Sequence, residues 1–256
     1  MVFILKAVEN IPLIQKGDDL AELICANAND ISDKDIIVIE STVVSKAIGL
    51  TFLEEDILPG DEAKQIAKLN GKDPRFVQAI LDESVEIFTE SPFMLVRNKN
   101  GHVCINAGID SSNVGNSRLL RLPSDPDFCA AAIGKSIEKT TGKKISIIIT
   151  DTNGRAFKDG QTNVAIGLYH IKAIRQWIGE KDLYGKVLEI SEEAVVDEIA
   201  GAANLIMGEG GFGYPVVIVR GLDFYTNENV SISEMYRPEE KDLIIQGLLK
   251  LKNEKK

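Results

Sequence analysis

Two stretches of the chain bring oxygen-bearing side chains to the ends of apolar runs. In residues 147–155 a β-branched run, Ile147-Ile148-Ile149, closes on Thr150, Asp151, Thr152, Asn153, Gly154 and Arg155. Residues 106–113 (NAGIDSSN) set Asp110 just after another apolar segment. A buried strand that delivers such residues at its carboxyl end is where α/β proteins gather ligand chemistry. Two carboxylates flanked by hydroxyls and amides, with no Cys or His beside them, suit a hard cation such as Mg²⁺ or Mn²⁺. Those ions work mostly on phosphates, so the pattern points to phosphoryl chemistry.

A third stretch, Gly208-Glu209-Gly210-Gly211-Phe212-Gly213, fits G-x-G-x-x-G. The dinucleotide fingerprint must follow a strand and open a helix, whereas here the glycines follow a helical pattern and open the run PVVIVRG. A Rossmann site is therefore not expected, and the chain has no G-x-x-x-x-G-K-[ST] loop. A helix C-cap explains one or two of the glycines. Close backbone approach to a phosphate explains four, because glycine exposes consecutive N–H groups without obstruction. Glu209 inside such a loop makes sense if a cation lies between it and the phosphate.

Composition removes other classes. A net charge of −10 argues against nucleic acid as partner, since phosphate backbones need clustered Lys and Arg. No apolar run approaches the roughly 20 residues that span a bilayer, and the first residues read as a strand, not a signal peptide, so a cytoplasmic location is expected. Cys25, Cys104 and Cys129 lack CxxC pairing and sit in apolar contexts, as small buried hydrophobes do. His102 and His170 have no zinc spacing. The basic end, residues 250–256, reads as solvated.

The elements that must position these residues alternate. Strands are expected over residues 2–8, 35–40, 85–89, 93–96, 102–106, up to 150, 164–169, 186–190 and 215–220. Helices are expected over 18–29, 60–69, 74–84, 125–141, from Ser191 as N-cap onward, and over 239–251, with Asp18 and Asp19 in the first turn of the first. Asn98-Lys99-Asn100-Gly101 is a hairpin turn and Gly142 a left-handed cap. The polar residues between 151 and 161 read as a loop. Periodicity alone gives mixed α/β and no topology.

The motifs ENIPLI (9–14), STVVSKAIG (41–49), NAGIDSSN, ITDTNGR, VAIG (164–167), KDLYGK (181–186) and MGEGGFGYPVVIVRG (207–221) occur in the order found in the coenzyme F420:L-glutamate ligase family. The chain resembles that family from about residue 9 to 236, and in length it resembles the stand-alone archaeal form. The resemblance implies a GTP-dependent carboxylate–amine ligase that joins L-glutamate, first to the carboxylate of a deazaflavin precursor of F420 and then through γ-linkages, releasing GDP and phosphate. It implies an acyl phosphate, two divalent ions (Mn²⁺ or Mg²⁺) and K⁺. Asp110 and Asp151 resemble ligands of one ion, and Thr152 and Glu209 ligands of the second. The guanine nucleotide site corresponds to Glu9, Asn10, Ile11 and Pro12, Ser41 and Thr42, Lys46, Asn113, and Met207, Gly208, Glu209, Gly210, Gly211, Phe212, Gly213 and Tyr214.

Lys46 would join the catalytic aspartates in neutralising the transferring phosphoryl group. Arg155 is either a clamp on phosphate or carboxylate or a partner of a neighbouring aspartate. The implied fold is a two-subdomain α/β unit (about 1–85 plus 190–256, and about 86–189) forming an intertwined homodimer. Two alternatives stay open: a related amide ligase with another carboxylate acceptor, and a non-catalytic nucleotide-binding protein.

Overall fold

β-branched runs with apolar residues on both faces need cover on both sides, and the chain supplies it with helices. The computed structural model describes residues 2–115 and 117–254. In chain order its elements are β1 (Ile4–Ala7), α1 (Leu20–Asn27), β2 (Ile36–Glu40), α2 (Ser41–Ala47), β3 (Thr51–Leu53), α3 (Asp61–Asn70), α4 (Pro74–Asp82), β4 (Ser84–Thr89), β5 (Leu95–Asn98), β6 (Val103–Ile105), β7 (Arg118–Leu120), α5 (Pro126–Thr141), β8 (Ser146–Arg155), β9 (Lys158–Tyr169), β10 (Arg175–Gln176), β11 (Glu192–Glu193), α6 (Val195–Met207), β12 (Val216–Arg220) and α7 (Leu243–Glu254). The mixed α/β class read from the sequence is the class that forms.

The central sheet runs β1-β12-β2-β8-β9, antiparallel throughout except for the parallel β2–β8 pair. Alternate residues of its strands enter different cores. Ile37, Ile39, Ile147, Ile149, Val216 and Ile218 pack with α1, α2 and α5. Ile36, Val38, Ile148, Val217 and Val219 pack with α6. A third apolar cluster lies apart, where Ala63, Ile66, Val77 and Ile80 of α3 and α4 meet Met94, Val96 and Leu119. The β4-β5-β6 sheet belongs to that unit.

Local chemistry explains most boundaries. Asp73 caps α4 through Arg75 N (2.7 Å), with Pro74 at the first helical position. Gly142 ends α5 at φ 69°. The three cysteines are free, Cys104 buried and the others half-buried. Among the described residues no helix is long and apolar enough to cross a membrane.

Five expectations need correction. The polar residues after Thr150 are not a loop: β8 and β9 continue as a hairpin to the pair Arg155↔Lys158. Backbone ladders form whatever the side chains are, and these polar residues either line an open cavity or are exposed. Residues 186–190 make no strand beyond an isolated bridge from Val187 to Lys181. Ser191 is not a helix cap; its carbonyl accepts from Trp177 N (2.9 Å), and α6 begins at Val195 without a side-chain cap. Asp19 is the N-cap of α1, accepting from Ala21 N and Glu22 N, while Asp18 closes the preceding turn on Gln15 N. In the basic end, Lys252 Nζ donates to Ile87 O (2.6 Å) instead of being solvated; Lys255 and Lys256 lie outside the described residues.

α5 crosses β9 at Gly167, where an added Cβ would lie 2.6 Å from the Pro126 carbonyl carbon. Asp127 Oδ1 fixes the same crossing by accepting Leu168 N (2.7 Å). Gly167→Ala should therefore push α5 off the sheet and destabilise the protein by about 1–3 kcal/mol, as overpacking does. Denaturant unfolding of the variant measures it, and an unchanged midpoint would contradict this account of the crossing.

Candidate active site

The parallel pairing of β2 with β8 sets Glu40 opposite Thr150, so two strands end side by side. Ser41 follows directly, and its Oγ donates to Asp151 Oδ1 at 2.7 Å. β12 runs antiparallel to β2, which brings its amino end and the preceding glycine loop to the same edge. Between Ile149 and Thr150 the ladder with β9 shifts register, a bulge that re-aims the residues following it. Thr152 Oγ1 then lies 2.8 Å from Asn163 Oδ1 and 3.2 and 3.3 Å from the two Glu209 oxygens. Asn204 Nδ2 of α6 steadies Glu209 from behind (2.9 Å).

Asp110 arrives from the small unit. Asn106, Ala107 and Gly108 take φ values of 55°, 56° and 72°, a left-handed run that turns the chain before Asp110. Asp110 exchanges backbone hydrogen bonds with Leu120. Its carboxylate accepts from Ser111 N (2.7 Å), Ser112 N (3.0 Å) and Ser112 Oγ. Asn153 locks the unit against β8, donating through Nδ2 to Val103 O (3.2 Å) and lying 3.4 Å from His102 Nε2. Burial holds the His102 imidazole well below its usual range, at about 4, so that contact involves a neutral ring.

These elements line an open cavity of about 260 Å³ whose wall includes Glu40, Asp110, Asp151 and Glu209 but, among the described residues, no Lys, Arg or His. A second cavity of about 180 Å³ adjoins it, lined by Ile11, Pro12, Lys46, Met207, Gly211, Gly213 and Tyr214. Glu40, Thr42, Asn113 and Gly210 border both. Of the candidate residues, Ser41, Thr42, Asn113, Asp110, Asp151, Thr152, Gly208, Glu209 and Gly210 line the first cavity.

Glu9 and Asn10 are exposed and border neither cavity, and Phe212 folds its ring against Gly208 instead. Arg155 also stands outside, at the hairpin tip, with Nη2 donating to the backbone carbonyl of Asp159 (2.8 Å) and not to an aspartate carboxylate. The sequence assigned no role to Glu40 or Asn163, which also line the first cavity. Only Glu40 left a signal, a carboxylate closing the run DIIVIE in the same way that Asp151 closes its own strand.

Crowding of like charges shapes the electrostatics. Burial, then the charges of Glu209 and Asp151, push the Glu40 carboxyl up to about 7 against the pull of Lys46. Burial pushes Asp151 up to about 6, with Asp110 and Glu209 adding to the rise and the Ser41 hydrogen bond opposing it. Burial lowers Lys46, while Glu40 opposes that shift. Among the described residues no three His, Cys, Asp or Glu groups close on a single point that could hold an ion. The donors are spread round the wall.

Folded Glu40 keeps a proton that the unfolded chain releases near 4.5, so its stabilising share is complete below that pH and is lost as pH rises through about 7. Protein free of divalent metal should accordingly lose stability across that window. Glu40→Gln should remove much of the loss, gaining about 1–3 kcal/mol at pH 8 and nothing near pH 4. Thermal melts of both proteins across pH test this; equal melting temperatures at pH 8 would refute the crowding.

Comparison with known proteins gives the family. Residues 9–221 match the family described as F420-0:Gamma-glutamyl ligase. The chain is 60% identical over 249 residues to the coenzyme F420:L-glutamate ligase of Methanosarcina mazei, covering 97% of this chain and 98% of that one. It is 51% identical to the protein of the same name from Archaeoglobus fulgidus (93% and 94% covered) and 43% identical to that of Methanothermobacter thermautotrophicus (92% and 96%). The chain belongs to the F420-0:gamma-glutamyl ligase family.

Proposed function

We propose that the protein is a GTP-dependent ligase that joins L-glutamate by amide bonds to the F420 precursor. The observation that carries this reading is the pair of adjoining cavities, one walled by carboxylates without a basic side chain and one by Lys46 and a glycine loop. Its relatives' name gives the substrates. Joining a carboxylate to an amine in water is uphill, so the carboxylate must first be activated. One acceptor oxygen attacks the γ-phosphorus of GTP as the bond to the β-phosphate oxygen breaks, and GDP leaves. The glutamate nitrogen then attacks the acyl carbon, loses a proton, and expels inorganic phosphate.

The chain supplies position and charge for this sequence and no nucleophile of its own. The glycine loop offers backbone N–H groups to the phosphates, with Lys46 beside them. Asn113 and the Ile11-Pro12 segment would hold the nucleoside. Four carboxylates facing one cavity without a cation fit bound metal: Asp110 with Asp151, and Thr152 with Glu209, would hold two divalent ions, and K⁺ would assist.

Because no three of these groups converge, each ion would take its remaining ligands from hydroxyl, amide, water and phosphate oxygens, as Mg²⁺ does. Such ions neutralise charge on the transferring phosphoryl group. A homodimer is supported by the segment around β10 and β11, which exposes Ile178, Leu183, Tyr184, Val187 and Ile190. The third apolar cluster, separate from the two on the sheet, supports a second subdomain, but one that joins residues 63–80 with 94–119 across the expected boundary at 85, while β8 and β9 belong to the central sheet.

Acceptor labelled with ¹⁸O in its carboxylate should release ¹⁸O-phosphate in step with amide formation, and only with GTP and Mg²⁺ or Mn²⁺ present. Unlabelled phosphate would eliminate the acyl phosphate, and equal rates with ATP the guanine assignment. Asp151→Asn should remove most of the turnover while leaving the fold intact. Gly210 has room for a side chain, its Cβ position meeting only Phe212 at 3.7 Å. Gly210→Val should therefore fold normally yet bind GDP at least ten-fold more weakly by calorimetry; wild-type affinity would take the phosphates away from this loop.

A further inference from the structure

The β8–β9 hairpin carries a side chain that neither folding nor the proposed phosphate chemistry explains. Gly154 and Gln161 pair across the hairpin and line the carboxylate cavity. The next pair, Arg155↔Lys158, is joined by a turn of two residues, Ala156 and Phe157. Phe157 has φ 63°, a left-handed conformation that glycine or asparagine adopts at little penalty and a phenylalanine does not. Its ring is 92% exposed and packs against nothing that would compensate. Strain of this kind, kept without a packing reward, is the mark of a position held for a ligand.

The flanking residues fit the same purpose. The carboxylate cavity would repel an anionic substrate, and its wall contains no basic side chain. Arg155 and Lys158 stand one step beyond its rim, and neither is ion-paired among the described residues. Arg155 Nη2 braces the turn on Asp159 O and keeps the guanidinium at the tip. Phe157 is three residues from Gly154, so at most about 10 Å separates them, within the span of one fused ring system.

Resting on the function proposed above, we propose that the hairpin tip is the docking element for the acceptor: Phe157 stacks on its flat aromatic ring, and Arg155 and Lys158 draw its anionic groups over the acidic cavity. A deazaflavin bearing a carboxylate has both features, and an aromatic face accepts any such ring.

Fluorescence titration of F420-0 into the full chain, together with ligation kinetics, tests the assignment. Phe157→Gly removes the ring and also relieves the strained φ, so it should hold or raise the melting temperature. It should nonetheless raise the acceptor Kd and KM about ten-fold, with GDP affinity and the KM for glutamate unchanged. Phe157→Trp should keep wild-type acceptor binding. Arg155→Gln with Lys158→Gln should weaken binding and flatten its salt dependence. Acceptor constants within two-fold of wild type in Phe157→Gly overturn the proposal, as does a variant that changes only the oligomeric state in sedimentation. Wild-type protein that neither binds nor ligates F420-0 defeats the functional reading itself, and the docking role falls with it.

Discussion

The hydrogen bond from Ser41 to Asp151 sits where two parallel strands end, and the site is organised round the burden it helps to carry. Asp151 is half-buried beside other carboxylates and has no basic partner among the described residues. At an effective dielectric constant of about 20, two unit charges about 6 Å apart repel by roughly 3 kcal/mol. One hydrogen bond to a charged group returns roughly 1.5–3 kcal/mol. A single hydroxyl therefore offsets about one neighbour and leaves the others uncompensated. In the function proposed above, bound cations would relieve that repulsion.

Stability elsewhere makes that stored repulsion tolerable. Both faces of the sheet are sealed by helices, and the isoleucines and valines of β2, β8 and β12 are almost wholly buried. Away from the site, charge is paired well: Asp35, fully buried, accepts from Arg220 Nε at 2.8 Å and Nη2 at 2.7 Å, and from Ser32 N at 2.8 Å. Partnered carboxylates thus anchor the end of β2 opposite Glu40, while those left short of partners gather at the other. That contrast separates a structural acid from a functional one.

The small unit with β4, β5 and β6 completes the site by carrying Asp110 to it. Its attachment is polar and specific, through Asn153 to Val103 O and the neutral His102 ring. Amide and imidazole contacts fix the angle of approach, where an apolar contact would fix only proximity. Asp110 is held in turn by its own turn donors, so its carboxylate faces the cavity without leaning on Asp151.

The residue types by themselves determined a good deal. Oxygen donors at the ends of apolar runs marked Asp110 and Asp151, the reversed order of helix and strand round the glycines excluded a dinucleotide fold, and the motif order gave the family. Strands with β-branched runs and helices with strong caps were legible because their signals are local. Tertiary structure alone decided that Glu40 joins the acidic wall, since that follows from the β2–β8 register. It alone turned the polar residues after Thr150 into a hairpin, because ladder hydrogen bonds leave no hydrophobic period to read. It alone sent Arg155 outward to a carbonyl, away from the site that its neighbours in sequence form. Which residues can do chemistry is a property of their side chains, but which of them share a cavity depends on pairings between segments about 100 residues apart in the chain, and no local pattern encodes those.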